Sequence, residues 1–384
     1  MDKFSDIRPY NDDETRDVIN NIINDDEFIH SLLALKFPQC PAFLKLMISP
    51  LMRFIIKRQV KDVNTVADFQ LKIEHYCKVM IANTMTEFTV SGLESLDLNK
   101  AYTFVSNHRD IAMDPAMVNY ALHTNGGNTV RIAIGDNLLT KEFVSDLMRI
   151  NKSFIVRRSA KGPRQLMAIL KNLSEYINYS IKEDGHSIWI AQREGRAKDG
   201  LDKTDPAIIK MLTLAERKLG LSEAVKSLKI VPVSISYEYD PCDKMKAGEL
   251  LSIASTGSYE KGEQEDVQSI AKGISGFKGR VHLHFGKVIG EDFESADEVA
   301  ARIDRDIVAA YVLQPSNYFA YHALYGEYPK GVYSEKQLDF VAEKLVKERT
   351  AFEAHLAEVE EQHKPYVLNA YANPIVNKKN LALM

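Results

Sequence analysis

Residues 104–115 read Phe104-Val-Ser-Asn-His108-Arg-Asp-Ile-Ala-Met-Asp114-Pro115. An apolar, strand-like run opens here into a histidine with two carboxylates, Asp110 and Asp114, just behind it. A neutral imidazole accepts a proton near physiological pH, and a carboxylate on its other ring nitrogen fixes the tautomer and stabilises the imidazolium. The pattern makes His108 a candidate general base, although a histidine beside acidic residues is by itself more often a surface cap or a satisfied core group.

Three further segments follow in chain order, and each is an apolar run that ends in polar residues. They read Ser153-Phe-Ile-Val-Arg157-Arg158, Ile188-Trp-Ile-Ala-Gln-Arg193-Glu194-Gly195-Arg196 and Lys229-Ile-Val-Pro232-Val-Ser234-Ile-Ser236. With residues 104–115 they resemble the glycerolipid acyltransferase superfamily, of which the lysophosphatidate (1-acyl-glycerol-3-phosphate) acyltransferases are the best known members. That family carries Asn-His-x4-Asp, an apolar strand ending in Arg, Pro-Glu-Gly-Thr-Arg and Val-Pro-hydrophobic blocks, and their order and spacing match over roughly residues 85–290. The opening Asp6-Ile-Arg-Pro-Tyr10 is similar to the N-terminus of a bacterial branch.

Two departures from the family pattern concern the site itself. Five residues rather than four separate His108 from Asp114, and Glu194-Gly195-Arg196 lacks the Thr that usually precedes the Arg. Either Asp114 reaches the imidazole from a longer turn, which is the preferred interpretation, or Asp110 has taken the role.

The resemblance implies an O-acyltransferase that moves a fatty acyl group from acyl-CoA or acyl-carrier protein to the hydroxyl of a lysophospholipid, most simply 1-acyl-glycerol-3-phosphate. It implies a general base and no acyl-enzyme, with the thioester as co-substrate and no other cofactor. Two alternatives stay open. The acceptor can be another molecule, such as glycerol 3-phosphate or a lyso-aminolipid, or the protein can be a catalytically silent, membrane-binding member of the fold.

The expected site residues follow from the same resemblance. They are the catalytic His108, Asp114 and Glu194 and the substrate-binding Arg157, Arg158, Arg193, Gly195 and Arg196. Glu194 is expected to bind glycerol oxygens, and Gly195 to let the backbone approach the substrate. Arginine binds phosphate oxygens in bidentate fashion, which lysine cannot do. Each of these residues also has a competing, non-functional interpretation. Glu194 can form a structural ion pair, Gly195 can be an ordinary turn glycine, and the arginines can be solvated surface residues. Trp189 is expected to pack in the core.

Composition excludes several other classes of protein. The chain has 384 residues, of which 45% are hydrophobic and 27% charged, and this is ordinary for a folded protein. The net charge is only −4, so no basic field argues for nucleic acid. Three distant cysteines without metal-ligand spacing fit a reducing, cytoplasmic compartment. His282 and His284 share one side of a predicted strand, but no third ligand is evident and no metal is expected.

A membrane contact is expected near the N-terminus. The segment Pro41–Ile56 is apolar but interrupted by Lys45, Pro50 and Arg53, and it is followed by Lys57, Arg58 and Lys61. Because no run of about 18 apolar residues exists, a span is not expected, and neither is a signal peptide at Met1-Asp-Lys-Phe. The segment is interpreted either as an interfacial helix among lipid headgroups or as a core helix. The resemblance favours the first, on the cytoplasmic face of the inner membrane.

Hydrophobic patterning predicts three regions: a helical N-terminal region over residues 1–84, an α/β domain over 85–314 and a helical extension over 315–384. Short apolar runs alternate with helical stretches in the middle region, which predicts a largely parallel central sheet flanked by helices. The predicted strands are Tyr102–Ser106, Val130–Ile134, Phe154–Val156, Ile188–Ala191, Ile230–Ile235 and Val281–Phe285. In the extension, Ser334–Gln337 is predicted to cap a helix that continues through Leu338, Val341, Leu345, Phe352 and Leu356, and 373–379 is predicted to be irregular.

Overall fold

A computed structural model of the protein describes residues 2–37, 39–262, 264–329 and 345–382. The chain divides into two compact units. The first unit contains residues 1–78 and 130–176, and the second contains residues 79–129 and 177–384.

The α-helices of the described residues are α1 (Thr15–Asn24), α2 (Asp26–Lys36), α3 (Ala42–Gln59), α4 (Val66–Thr84), α5 (Met113–Thr124), α6 (Glu142–Ile150), α7 (Pro163–Lys182), α8 (Pro206–Thr213), α9 (Leu221–Leu228), α10 (Asp243–Thr256), α11 (Glu265–Ser275), α12 (Ala296–Ala310), α13 (Pro315–Tyr325), α14 (Val346–Ala357) and α15 (Lys364–Ala382). The strands of these residues are β1 (Met85–Ser91), β2 (Thr103–Ser106), β3 (Arg131–Gly135), β4 (Ser153–Val156), β5 (Ile188–Ala191), β6 (Ile230–Tyr237) and β7 (Gly279–Phe285). No helix among these is both long and apolar enough to cross a bilayer.

The first unit contains the N-terminal helices together with β3 and β4, which pair in parallel. The apolar face of α1 is buried together with Phe69 and Ile150. The opening residues lie along this unit, because the N–H of Ile155 donates to the carbonyl of Ile7 and the hydroxyl of Tyr10 donates to Asp146. The Asp6–Tyr10 block is therefore an anchored part of the fold.

In the second unit, five of the described strands form a sheet in the order β1-β7-β6-β2-β5. β1 runs parallel to β7, and β2 runs parallel to both β5 and β6, while β6 and β7 are antiparallel. The predicted α/β fold with a largely parallel sheet is confirmed. Every residue of the two central strands, β2 and β6, is buried, so the residues that follow them leave the sheet from its buried centre.

Strand β1 was not predicted. It follows α4 directly, with no Gly or Pro at the boundary, and much of its surface is exposed. Its pairing with the distant β7 stabilises an extended conformation that the local sequence only weakly indicates.

The C-terminal extension was wrongly predicted at residues 373–379. These residues are helical and belong to α15, with Pro374 inside the helix. A proline removes one helical hydrogen bond, but burial of Ala372 and Ile375 in a cluster with Phe352 of α14 offsets the loss. The predicted capping box, with Leu338 and Val341, lies outside the described residues. Phe352 and Leu356 lie in α14 as predicted, whereas Leu345 directly precedes this helix.

Candidate active site

Strand β2 carries the Asn107–His108 pair to the carboxyl end of the central sheet. The side chain of Asn107 is buried, and its Nδ2 donates to the carbonyl of Ile235 at 2.9 Å while its Oδ1 accepts from the N–H of Ile235 at 2.8 Å. This amide therefore continues the β2–β6 pairing by one position beyond the backbone ladder. The bonds of Asn107 hold the end of β2 against β6, and the chain leaves the sheet at the next residue, His108.

The imidazole of His108 meets Asp114, which lies on the first turn of α5. The distance from Nδ1 of His108 to Oδ2 of Asp114 is 2.7 Å. The same carboxylate accepts from the backbone N–H groups of Arg109 at 2.6 Å and Asp110 at 3.0 Å, and from the hydroxyl of Tyr237 at 2.6 Å. Complete burial would raise the pKa of Asp114, but the bonds from His108, Tyr237 and the Asp110 N–H hold it below its usual value. An ionised Asp114 requires Nδ1 to be the donor, so Nε2 is left to accept a proton.

Asp110 has a different role from Asp114. Its Oδ1 accepts from the N–H groups of Ala112 at 3.0 Å and Met113 at 2.9 Å, so it caps the start of α5. Burial and the neighbouring charge of Asp114 raise the pKa of this carboxyl. The extra residue between His108 and Asp114 is thus absorbed in a turn that Asp110 closes, and the structure brings Asp114 to the imidazole.

Trp189 of β5 borders the same histidine. Its Nε1 donates to the hydroxyl of Ser106 at 3.0 Å, and its ring lies edge-on to the imidazole with centroids 5.5 Å apart. The residue is buried, as expected of a core tryptophan, yet its contact with His108 was not predicted. The indole restricts the orientation of the imidazole from one side.

Residues 107–112, between β2 and α5, form a turn that we call the histidine turn. Two backbone hydrogen bonds hold the Glu194-Gly195-Arg196 block against this turn and the end of β2. The N–H of Gln192 donates to the carbonyl of Ser106, and the N–H of Ala197 donates to the carbonyl of His108, both at 2.8 Å. Glu194 and Gly195 are exposed, and Gly195 has a φ of +74° that favours glycine. A Cβ at this position would meet no atom within 4 Å, so the backbone conformation and not crowding requires the glycine.

The predicted arginines are divided between the two units. In the second unit, Nη1 of Arg196 donates to the hydroxyl of Ser269 at 2.5 Å, and Arg193 lies in the same loop. In the first unit, Nη2 of Arg157 pairs with Asp6 at 3.0 Å, and about half of the Arg157 side chain is exposed. The backbone N–H of Arg158 lies 3.3 Å from both carboxylate oxygens of Asp136. Their roles in substrate binding stay predictions.

Sequence reasoning missed two groups that support the dyad. Tyr237 lies two residues beyond the predicted end of β6, and its burial and the charge of Asp114 raise its pKa well above the usual value, which keeps it a donor. Alternation from Val233 through Ile235 places Tyr237 on the same strand face, and this signal was available. Arg109, in contrast, forms a buried ion pair with Asp202 at 2.7 Å, and the sequence contains no signal for that pairing.

His282 and His284 face one side of β7, as predicted. Both rings hydrogen-bond to the hydroxyl of Ser91, at 2.9 and 2.8 Å, and His282 also bonds to Thr89 at 2.7 Å. In the part of the chain that the structure describes, no three His, Cys, Asp or Glu side chains are placed to hold a metal ion.

Comparison with known proteins adds two findings. The family model described as Acyltransferase matches residues 87–237, a segment that contains all four sequence blocks. The crystal structure of the 1-acyl-sn-glycerophosphate (LPA) acyltransferase, PlsC, from Thermotoga maritima is similar at 13% sequence identity and a TM-score of 0.38, covering 76% of this chain and 92% of that chain. A search of curated proteins found no match.

The hydroxyl of Tyr237 generates a testable prediction about the dyad. Tyr237→Phe keeps the ring but removes a donor to a buried carboxylate, a bond worth about 1.5–3 kcal/mol, or roughly 10- to 150-fold. We expect kcat to fall and the acidic limb of the pH–rate profile to move to higher pH, because Asp114 holds a proton more readily without this donor.

Tyr239→Phe is the matched control, since this buried tyrosine lies near the same strand end but packs its ring against Phe277 and His355. Steady-state acyl-transfer rates from pH 5 to 9 provide the measurement. Identical pH profiles for Tyr237→Phe and Tyr239→Phe would show that the Tyr237 hydroxyl does not affect the His108–Asp114 pair.

Proposed function

We propose that this protein is an O-acyltransferase that acylates a lysophospholipid, because residues 87–237 match the family model described as Acyltransferase. The simplest acceptor is 1-acyl-glycerol-3-phosphate, and the donor is acyl-CoA or acyl-carrier protein. The observation that carries the proposal is the 2.7 Å contact between His108 and a buried, ionised Asp114, directly beside the Glu194–Arg196 loop.

In the proposed mechanism, Nε2 of His108 removes the proton from the acceptor hydroxyl as its oxygen attacks the thioester carbonyl carbon. The new C–O bond gives a tetrahedral intermediate, which collapses with cleavage of the C–S bond. The leaving thiolate then takes the proton from the imidazolium. Asp114 stabilises that imidazolium through Nδ1, so a direct transfer needs no covalent acyl-enzyme.

The Glu194–Arg196 loop supplies the proposed acceptor contacts. Glu194 is exposed beside the histidine turn, where a carboxylate can accept hydrogen bonds from glycerol hydroxyls. Gly195 leaves its backbone open on the side where a Cβ would point, which supports a close approach of substrate. Arg196 is half-buried and is the proposed phosphate ligand, with Arg193 beside it.

We further propose that α3 binds the membrane surface. One side of α3 packs on α2 through Met52 and Ile48. Its large apolar side chains that face solvent are Phe43, Leu44, Leu46, Met47, Leu51, Phe54 and Ile55. The exposed Lys57, Arg58 and Lys61 follow at the C-terminal end, and their charge complements anionic lipid headgroups.

The proposed location is the cytoplasmic face of the inner membrane. All three cysteines are free thiols, which is compatible with a reducing compartment. A lysophospholipid acceptor resides in the bilayer, whereas acyl thioesters are dissolved, so an enzyme held at the surface by α3 meets both substrates.

The acceptor is tested by thioester release against a panel of lysophosphatidate, glycerol 3-phosphate and lyso-aminolipid. We expect lysophosphatidate to give the highest kcat/KM. Arg196→Ala should raise the KM for this phosphate-bearing acceptor roughly 10- to 150-fold, as expected for loss of a charge-assisted bond, and should leave the KM for the donor unchanged. Arg157→Ala, in the first unit, is measured separately and is likewise expected to raise the KM for the acceptor more than the KM for the donor.

Arg217→Ala, an exposed arginine of the second unit, is the control for a general loss of positive charge. Arg196→Lys separates charge from bidentate geometry. Equal effects of Arg196→Ala on the KM values for donor and acceptor would contradict the role of Arg196 as a phosphate ligand. A higher kcat/KM with another acceptor would replace lysophosphatidate as the proposed substrate. Absence of thioester release with every acceptor would favour the silent, membrane-binding alternative.

The α3 surface predicts flotation of the protein with anionic liposomes. Replacing Lys57, Arg58 and Lys61 by Glu should weaken flotation, because each cation near an anionic surface contributes about 1 kcal/mol. High salt should weaken wild-type binding without abolishing it, since the Debye length is about 10 Å at 0.1 M. Replacing Leu46, Met47 and Phe54 by Ser should remove the apolar contribution and abolish flotation.

The matched control replaces Leu219, Val267 and Ile274 by Ser, which are similarly exposed apolar residues of the second unit. If the α3 variants and this control float as wild type does, or if wild type does not float, α3 is not a membrane element.

A further inference from the structure

The segment Ala197–Asp202 joins the histidine turn to the C-terminal helix α15. We refer to it as the bridging loop. On one side, its Ala197 N–H donates to the carbonyl of His108, and its Asp202 carboxylate pairs with Arg109 at 2.7 Å. Both members of that ion pair are buried, so the loop is fixed to the residue that follows the catalytic histidine.

On its other side, the bridging loop is bound by two asparagines of α15. Nδ2 of Asn373 donates to the carbonyl of Asp199 at 2.6 Å, and Nδ2 of Asn377 donates to the carbonyl of Gly200 at 3.3 Å. The two residues are four apart and therefore lie on one face of the helix. The Gly200 carbonyl is shared, since it also lies 3.4 Å from Nη2 of Arg109.

The approach between loop and helix is close enough to require a glycine. Gly200 has a φ of +79°, and a Cβ built there would lie 2.1 Å from the carbonyl oxygen of Ala370 in α15. Any side chain would have to displace backbone, so the bridging loop and α15 are fitted to each other.

A second connection runs from α15 to the same catalytic turn. The hydroxyl of Tyr371 donates to Asp243 at 2.9 Å and accepts from the N–H of Asp240. The Asp240 carboxylate pairs with the buried Lys246, whose Nζ donates to the carbonyl of Arg109 at 2.7 Å. Arg109 is therefore held through its guanidinium and through its carbonyl, and both routes end on α15.

We propose that α15 is a positioning element of the active site, in which Asn373, Asn377 and Tyr371 hold the bridging loop and Arg109 so that His108 and the Glu194–Arg196 loop keep their geometry. These three residues lie outside the segment that matches the acyltransferase family. The catalytic consequence rests on the proposed acyl transfer, whereas the structural consequence does not.

Trp189 provides a readout that is independent of activity. It is the only tryptophan, it is buried, and its ring lies 5.5 Å from the imidazole of His108. Its accessibility to acrylamide therefore reports on the packing of the histidine turn. We expect Asn373→Ala with Asn377→Ala to increase acrylamide quenching of Trp189 and to lower kcat roughly tenfold, as for loss of two partly buried hydrogen bonds, with the KM for the donor unchanged.

Asn369→Ala is the matched control, because the Asn369 amide donates to the carbonyl of Pro365 within α15 itself. Tyr371→Phe tests the second connection separately and keeps the ring if the double variant does not fold. A folded double variant with the quenching and kcat of Asn369→Ala would overturn the proposal. Increased quenching in a protein whose wild type releases no thiol would support α15 as a positioning element and contradict acyl transfer.

Discussion

A carboxylate that is removed completely from water stays ionised only if hydrogen bonds replace its hydration. Asp114 satisfies this condition with donors from separate parts of the second unit: the imidazole, two backbone N–H groups of the histidine turn, and the hydroxyl at the end of β6. These donors together replace the hydration of the Asp114 carboxylate. The geometry of the turn, the register of β2 against β6 and the N-terminus of α5 are all fixed around this one buried charge.

The same constraint explains the buried polar layer around the turn. Arg109 cannot be buried without Asp202, and Lys246 cannot be buried without Asp240. Such pairs contribute little net stability, but removal of either partner leaves an uncompensated charge and is costly. They hold the histidine turn in one conformation, and they extend the site to α15, which supplies Tyr371 and the two asparagines.

Much of this arrangement could be predicted from the sequence, and the part that could not has a common cause. The strand runs, the polar blocks at their carboxyl ends and the fold class depend on local periodicity, which the sequence displays directly. Tyr237, Asp202 and the helical conformation around Pro374 depend on partners more than 90 residues away or on tertiary burial. Local sequence patterns do not identify partners that are distant along the chain. The spacing of His108 and Asp114 left Asp110 as an alternative, and only the turn geometry separates a helix cap from a partner of the imidazole.

The central proposal is that His108, oriented by Asp114, acts as the general base while the acyl group passes directly from the thioester to the acceptor hydroxyl. Single-turnover thiol release with excess enzyme tests it most directly, comparing His108→Ala, Asp114→Asn and Asp110→Asn with wild type. General base catalysis is worth about 10²- to 10⁴-fold, so His108→Ala should lose nearly all activity. Asp114→Asn should be slower than Asp110→Asn, because the amide oxygen that Asp110→Asn introduces can still cap α5. A folded His108→Ala variant that keeps more than about a tenth of the wild-type rate, or an Asp110→Asn variant slower than Asp114→Asn, would contradict the dyad.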